Sequence, residues 1–145
     1  MKKNKYYLYS DGGARGNPGP AGAGGVIFDE RKKKVAEISE YLGILTNNQA
    51  EYQALILGLK RAKDLGIKNL ACFLDSELVT KQINGLYKVK DQKIKDLFPL
   101  VLKLKSSFKE ISFSHVKRAK NKEADALVNK ALNLYQNQIG NSKAV

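Results

Sequence analysis

The residues best suited to chemistry are four acids, Asp11, Glu51, Asp75 and Asp125. Asp11 ends the β-forming run Lys5-Tyr-Tyr-Leu-Tyr-Ser10, and Asp75 ends the apolar run Leu70 to Leu74. Residues at the carboxyl ends of strands in α/β sheets line the ligand crevice. Each of these two has an ordinary alternative. Asp11 opens an Asp-Gly pair, which is common turn chemistry. Asp75, beside Ser76, can equally be a strand–helix junction or a cap. The other two are harder to explain as routine. Counting by three and four from Glu51 reaches Leu55, Gly58, Ala62 and Leu65, the apolar stripe of its helix. Asp125 shares a face with Val128, Leu132 and Tyr135. A carboxylate turned toward a core is costly unless it is paired or binds a cation. A structural salt bridge to a nearby lysine stays open for each.

Brought together, four carboxylates would raise one another's pKa values unless a cation neutralised them. Cys72 is the only cysteine and His115 the only histidine, which excludes a His/Cys zinc site. A metal here must be held by oxygen, and that favours magnesium or manganese. Two such ions suit phosphodiester cleavage, one generating hydroxide and the other stabilising the leaving oxygen.

The elements that must position these acids follow from pattern. Residues 5–10 read as a strand, and the glycine- and proline-dense stretch 11–20 as a loop. Strands are expected at about 22–29 and 33–43, joined by a turn over Asp29 to Lys33 in an antiparallel meander. Thr46 is a good N-cap for a helix to about Leu65, stopped by Gly66. A strand over 69–74 leads to a short helix capped by Ser76 and ended by Asn84-Gly85. Residues 91–107 read as helix, with Pro99 an interior flaw that kinks or splits it. A fifth strand spans 110–116, a last helix 121–137, and 138–145 is expected to be a loose tail. The fold class is therefore α/β: a five-stranded mixed sheet, antiparallel meander plus parallel strands, flanked by helices. One domain over 1–145 is expected, since 145 residues suffice for one core and not for two.

Charge indicates the partner class. There are 26 Lys and Arg against 14 Asp and Glu, a net charge of +12, which attracts polyanions. Nucleic acid is the natural one, because lysine and arginine release counterions from phosphates. A merely soluble basic surface is the plain alternative. Cys72 lies in an apolar run and reads as a buried, reduced thiol without a disulfide. The basic start has no apolar stretch of signal length and no run is long enough to span a membrane, so a cytoplasmic monomer is the default expectation.

The sequence also carries a resemblance. Tyr9-Ser-Asp11-Gly-Gly-Ala-Arg-Gly-Asn17-Pro-Gly-Pro-Ala-Gly22 is similar to the opening motif of the ribonuclease H type 1 family. Thr46-Asn-Asn-Gln-Ala-Glu51-Tyr-Gln-Ala-Leu55 resembles its second motif, and Asp75-Ser76 after an apolar strand its third. His115-Val-Lys-Arg118-Ala-Lys-Asn121-Lys-Glu-Ala124-Asp125 resembles its fourth. The resemblance runs from about residue 5 to 135, and the four motifs occur in order. It implies a ribonuclease H-like fold. It also implies hydrolysis of the RNA strand of an RNA–DNA hybrid with magnesium or manganese, leaving 5′-phosphate and 3′-hydroxyl ends. Asp11, Glu51, Asp75 and Asp125 would be the metal-binding catalytic acids, holding two ions with substrate bound. Gly12, Gly13, Asn17, Asn47, Asn48 and Ser76 match positions facing the hybrid, and Thr46 one near a DNA phosphate. Short polar side chains and glycine backbone suit a wide minor groove lined with 2′-hydroxyls. Turn and cap duty is the alternative for the asparagines and Thr46.

Two departures stand out. The basic protrusion of some family members has no room here, because Gly85 to Lys95 runs almost straight into the next helix; Lys88, Lys90, Lys93 and Lys95 partly substitute. The loop before Asp125, Lys117-Arg-Ala-Lys-Asn121, lacks the histidine many members carry, and His115 reads as a strand residue. Arg118 is the candidate for electrostatic help near the scissile phosphate, with plain contact to backbone phosphate as its alternative. Two other readings remain beside the nuclease: a hybrid-binding module without catalysis, and additional cleavage of double-stranded RNA.

Overall fold

The computed structural model describes residues 4–143, with side chains through 139. Five strands form one mixed sheet in the order β3-β2-β1-β4-β5. They are β1 (Lys5–Ala14), β2 (Gly19–Phe28), β3 (Lys34–Leu45), β4 (Asn69–Leu74) and β5 (Glu110–His115). β1, β2 and β3 pair antiparallel, while β1 pairs parallel with β4, and β4 with β5. The helices are α1 (Asn47–Asp64), α2 (Glu77–Ile83), α3 (Gln92–Lys95), α4 (Phe98–Lys105) and α5 (Lys122–Lys143), with a 3₁₀ turn at Arg118–Lys120 before α5. No helix among the described residues is long and apolar enough to cross a membrane. The expected α/β mixed sheet, meander plus parallel strands, is the observed one.

The glycine-rich stretch departs from expectation. Residues 11–20 do not form one loop. β1 continues through Asp11-Gly-Gly-Ala14 in register with Ala21 to Gly24, and β2 already starts at Gly19. The turn is only Arg15 to Pro18, closed by Arg15 N–H donating to the Pro20 carbonyl at 2.8 Å, with a cis Asn17–Pro18 bond. Glycine belongs in these strands for a packing reason. A Cβ on Gly12 would collide with the Ala50 carbonyl oxygen of α1, and one on Gly24 with the Ala124 carbonyl oxygen of α5. Helices therefore lie directly on the sheet backbone from both sides, as glycine inside a strand permits.

Alternation along β1 sorts its residues. Leu8 faces α1 with Tyr52, Leu55 and Leu59 in the main core, and Cys72 and Phe113 join from β4 and β5. Gly13 faces Val128 of α5, so Asp11, two residues earlier, also faces the α5 side.

The expected caps are present. Thr46 Oγ1 accepts from Gln49 N–H at 3.2 Å, and Gln49 Oε1 accepts from Thr46 N–H at 3.0 Å, which is a capping box. Ser76 Oγ accepts from Val79 N–H at 3.2 Å. Of the stripe read from Glu51, Leu55, Gly58 and Ala62 are buried, but Leu65 is half exposed because it caps the C-terminus. The 91–107 segment is split, and Pro99 lies in the first turn of α4, where its missing N–H costs nothing. The last helix does not stop at 137. α5 runs to Lys143, so residues 138–143 are helical rather than a loose tail, and 144–145 lie outside the described residues. α5 is fixed along its length by the Tyr41–Tyr135 stack, ring centroids 3.7 Å apart, and by Arg15.

Candidate active site

Four different elements each supply one acid. Asp11 comes from β1, Glu51 from the second turn of α1, Asp75 from just past β4, and Asp125 from the first turn of α5. All four line one cleft of about 410 Å³, together with Gly13, Asn47, Arg118 and Asn129. They share its wall rather than a single point: among the described residues no three His, Cys, Asp or Glu side chains are gathered as ligands.

The backbone that holds them is cross-linked. Asn121, 1% exposed, donates from Nδ2 to the Ser10 carbonyl at 2.9 Å. Its own carbonyl accepts from Asp125 N–H at 3.1 Å. On the other side, Ala14 N–H donates to Asn47 Oδ1 at 2.8 Å, and Asn47 N–H donates to Asn17 Oδ1 at 3.1 Å. These bonds lock the end of β1 to the starts of α5 and α1.

The electrostatics of the cluster are unfavourable as it stands. The Asp11 carboxyl is pushed up to about 8, first by burial, then by the charges of Asp75 and Asp125, by a hydrogen bond with Asp125 and by Glu51. Burial raises Glu51 to about 7, opposed by a hydrogen bond from the Ser76 hydroxyl and assisted by Asp75. Glu51 Oε2 is buried with no hydrogen-bond partner. A lone buried oxygen, an all-oxygen donor set and carboxyls raised by mutual repulsion fit a hard divalent cation, which would relieve each of these costs. A cation adjoins the cluster: Arg118 Nη2 is 3.7 Å from Asp125 Oδ1, with the Arg118 side chain 82% exposed.

The expected substrate-facing residues divide. Gly13, Asn47 and Arg118 line the cleft, while Gly12 also lines it but is buried under α1. Thr46, Asn48, Ser76 and Asn17 stand beside it, at the start of α1, the start of α2 and the β1–β2 turn. Asn17 and Asn47 do perform turn and cap duty, but among the described residues only with their carbonyl oxygens, which leaves their amide NH₂ groups as donors there. His115 lies exposed at the end of β5, as a strand residue. Three residues had no assigned role from sequence: Asn121, Arg15 and Asn129. The one available signal was the amide spacing Asn129, Asn133, Gln136, a polar stripe on a helix whose other face is apolar.

The reverse transcriptase-like family matches residues 9–131. The N-terminal ribonuclease H domain of a Mycobacterium tuberculosis protein, solved as a maltose-binding protein fusion, is 42% identical. That match covers 88% of this chain and 98% of the other, with a TM-score of 0.86. LC11 ribonuclease H1, solved in complex with an RNA/DNA hybrid, is 41% identical over 90% of this chain and 99% of that one, TM-score 0.86. Ribonuclease HI of Halobacterium salinarum is 41% identical over 128 residues. This chain spans 64% of that protein's length, and 35% of the bifunctional protein of Mycobacterium tuberculosis. On the family match and these likenesses across most of its length, the chain belongs to the ribonuclease H type 1 family.

Proposed function

We propose that this chain is a divalent-metal-dependent endonuclease that hydrolyses the RNA strand of RNA–DNA hybrids, leaving 5′-phosphate and 3′-hydroxyl ends. The observation that carries it is four carboxyls from four elements in one cleft, two of them held well above the usual range, in a chain of net charge +12. Nothing in packing or folding rewards that concentration of like charge. The hybrid-bound relative supports the substrate class.

Asp11, Glu51, Asp75 and Asp125 would hold one or two magnesium or manganese ions. Bound there, such ions supply an activated water and stabilise charge on the leaving oxygen. The chain's own groups do the rest. Ser76 and the α1 packing fix the Glu51 carboxyl in place. Asn17 and Asn47 present amide donors to groove acceptors, and Gly13 allows close backbone approach. Arg118 is exposed at the cleft and free to swing onto the phosphate undergoing attack.

The test is an assay of end-labelled RNA–DNA hybrid, double-stranded RNA and double-stranded DNA, each with magnesium, manganese or chelator. Cutting of the hybrid RNA strand with either metal and none with chelator is expected. Metal-independent binding without cutting would replace the proposal with a binding module.

A further inference from the structure

Arg15 lies in the β1–β2 turn and is half-buried. Its guanidinium reaches α5 and meets three side-chain amides there. Nη1 donates to Gln136 Oε1 at 2.6 Å, and Nη2 donates to Asn133 Oδ1 at 2.8 Å and to Asn129 Oδ1 at 3.4 Å. A guanidinium has donors only. Each amide must therefore turn its carbonyl oxygen toward Arg15, and its NH₂ group then points the other way.

The result is an ordered row. Positions 129, 133 and 136 share one helix face, and all three residues are exposed. The row starts at Asn129, which lines the acidic cleft, and runs about 10 Å along α5 at ~1.5 Å per residue. Free amides on a helix surface rotate and present donor or acceptor alike. These three are fixed by one arginine so that only donors face out.

A donor-only row next to a nuclease cleft matches an acceptor-only partner, and the phosphate oxygens of a nucleic-acid backbone are one. We propose that Asn129, Asn133 and Gln136, oriented by Arg15, form a backbone-contact track that holds the strand of an RNA–DNA hybrid as it leaves the cleft along α5. This rests on the hybrid-hydrolase reading above. The track supplies affinity and not chemistry. It acts only on hybrids long enough to reach it, about three base pairs beyond the cleft at ~3.4 Å per step.

The decisive variant is Asn133→Asp. It keeps an oxygen for Arg15 but turns a second oxygen outward in place of the NH₂ group. Gln138→Glu adds the same charge on the exposed surface about 200° around the helix from Gln136, at 100° per residue. Binding is read by anisotropy of labelled hybrid in chelator, and cutting by steady-state kinetics with magnesium. Expected for Asn133→Asp is a several-fold rise in Kd and KM on the longer hybrid only, with kcat unchanged, no loss of thermal midpoint, and little effect from Gln138→Glu. Equal effects of the two variants, or equal effects on short and long hybrids, would overturn the track. If the unaltered chain cuts no hybrid with either metal, the hydrolase reading fails, while the binding arm still reports on the track.

Discussion

Asn121 donates its side-chain amide to the carbonyl of Ser10 at 2.9 Å, so the residue before Asp11 is tied to the residue that starts the helix of Asp125. The bond is fully buried and joins two carboxyl-bearing elements that are far apart in sequence. Asn121→Ala leaves the Ser10 carbonyl unpaired in the interior, a cost of about 1–3 kcal/mol. Thermal unfolding checks that figure. Hydrolysis, assayed where the variant is still folded, should fall more than stability explains, because Asp11 and Asp125 lose their common register. A folded variant with full kcat would show that the bond serves stability alone.

The acid cluster makes the metal-free protein pH-sensitive in an unusual direction. Asp11 is raised to about 8 from 3.8, and Glu51 to about 7 from 4.5. Between those limits the folded chain binds protons that the unfolded chain has released, so unfolding becomes easier as pH rises. The stability is fully present below about pH 4 and lost progressively toward pH 8. Thermal midpoints in chelator should therefore drop between pH 5 and pH 8.5, by at least about 3 °C, the shift that ~1 kcal/mol produces in a domain of this size. Magnesium at about 100 times its Kd should restore about 2.7 kcal/mol, more effectively at the higher pH. A midpoint that rises with pH in chelator would refute the repulsion described for the cluster.

Gly24 is where α5 rests on β2, since a Cβ there would enter the Ala124 carbonyl oxygen and stand 2.8 Å from Val128 N. Both atoms are helix backbone and cannot swing aside. Gly24→Ala should cost about 2–3 kcal/mol, at the upper end for overpacking, and should displace Asp125 with its helix. Gly13→Ala is the matched control. Its Cβ would meet only Val128 Cγ1 at an ordinary 3.8 Å, so it should leave the thermal midpoint nearly unchanged.

Arg118 lies 3.7 Å from Asp125 with most of its side chain in solvent. A pair so exposed contributes little to stability, and Arg118→Ala should leave the thermal midpoint unmoved. Turnover is where it should matter. Loss of a cation that can reach developing phosphate charge predicts at least about a tenfold fall in kcat. An unchanged turnover number would leave Arg118 as a surface contact only.

These features differ in how far the sequence discloses them. Glu51 and Asp125 were conspicuous because periodicity places an acid on an apolar helix face, and helix periodicity is a local property. The caps at Thr46 and Ser76 were equally local. The β1–β2 segment was not, because glycine density signals both a loop and a strand that helices press against. Only the tertiary contacts of Gly12 and Gly24 decide between them. The end of α5 is hidden in the sequence for a related reason. Asn137, Gly140 and Asn141 have poor helix propensity, and the helix that continues into them is anchored by Tyr41 and by Arg15, the latter more than a hundred residues earlier in the chain. Asn121 stood inside a family motif, yet its role required seeing Ser10 beside it.

The sharpest separation of function from stability lies in Asp11 itself. It bears the largest electrostatic cost in the cleft, from burial and from three other acids. Asp11→Asn keeps the shape, removes the charge, and offers Asp125 an amide donor in place of a competing carboxyl. In chelator at pH 8 the variant should therefore melt higher than the unaltered chain. Its response to magnesium should shrink, since one of the four carboxylate charges that attract a hard cation is gone. Hydrolysis of hybrid should fall by about 10³ or more, a loss of roughly 4 kcal/mol in transition-state stabilisation. A gain in stability together with loss of cutting marks a residue held in place for chemistry at the expense of the fold. A variant that melts lower than the unaltered chain at pH 8 would place Asp11 among the groups that hold the structure together, and would remove the physical reason for putting a cation there.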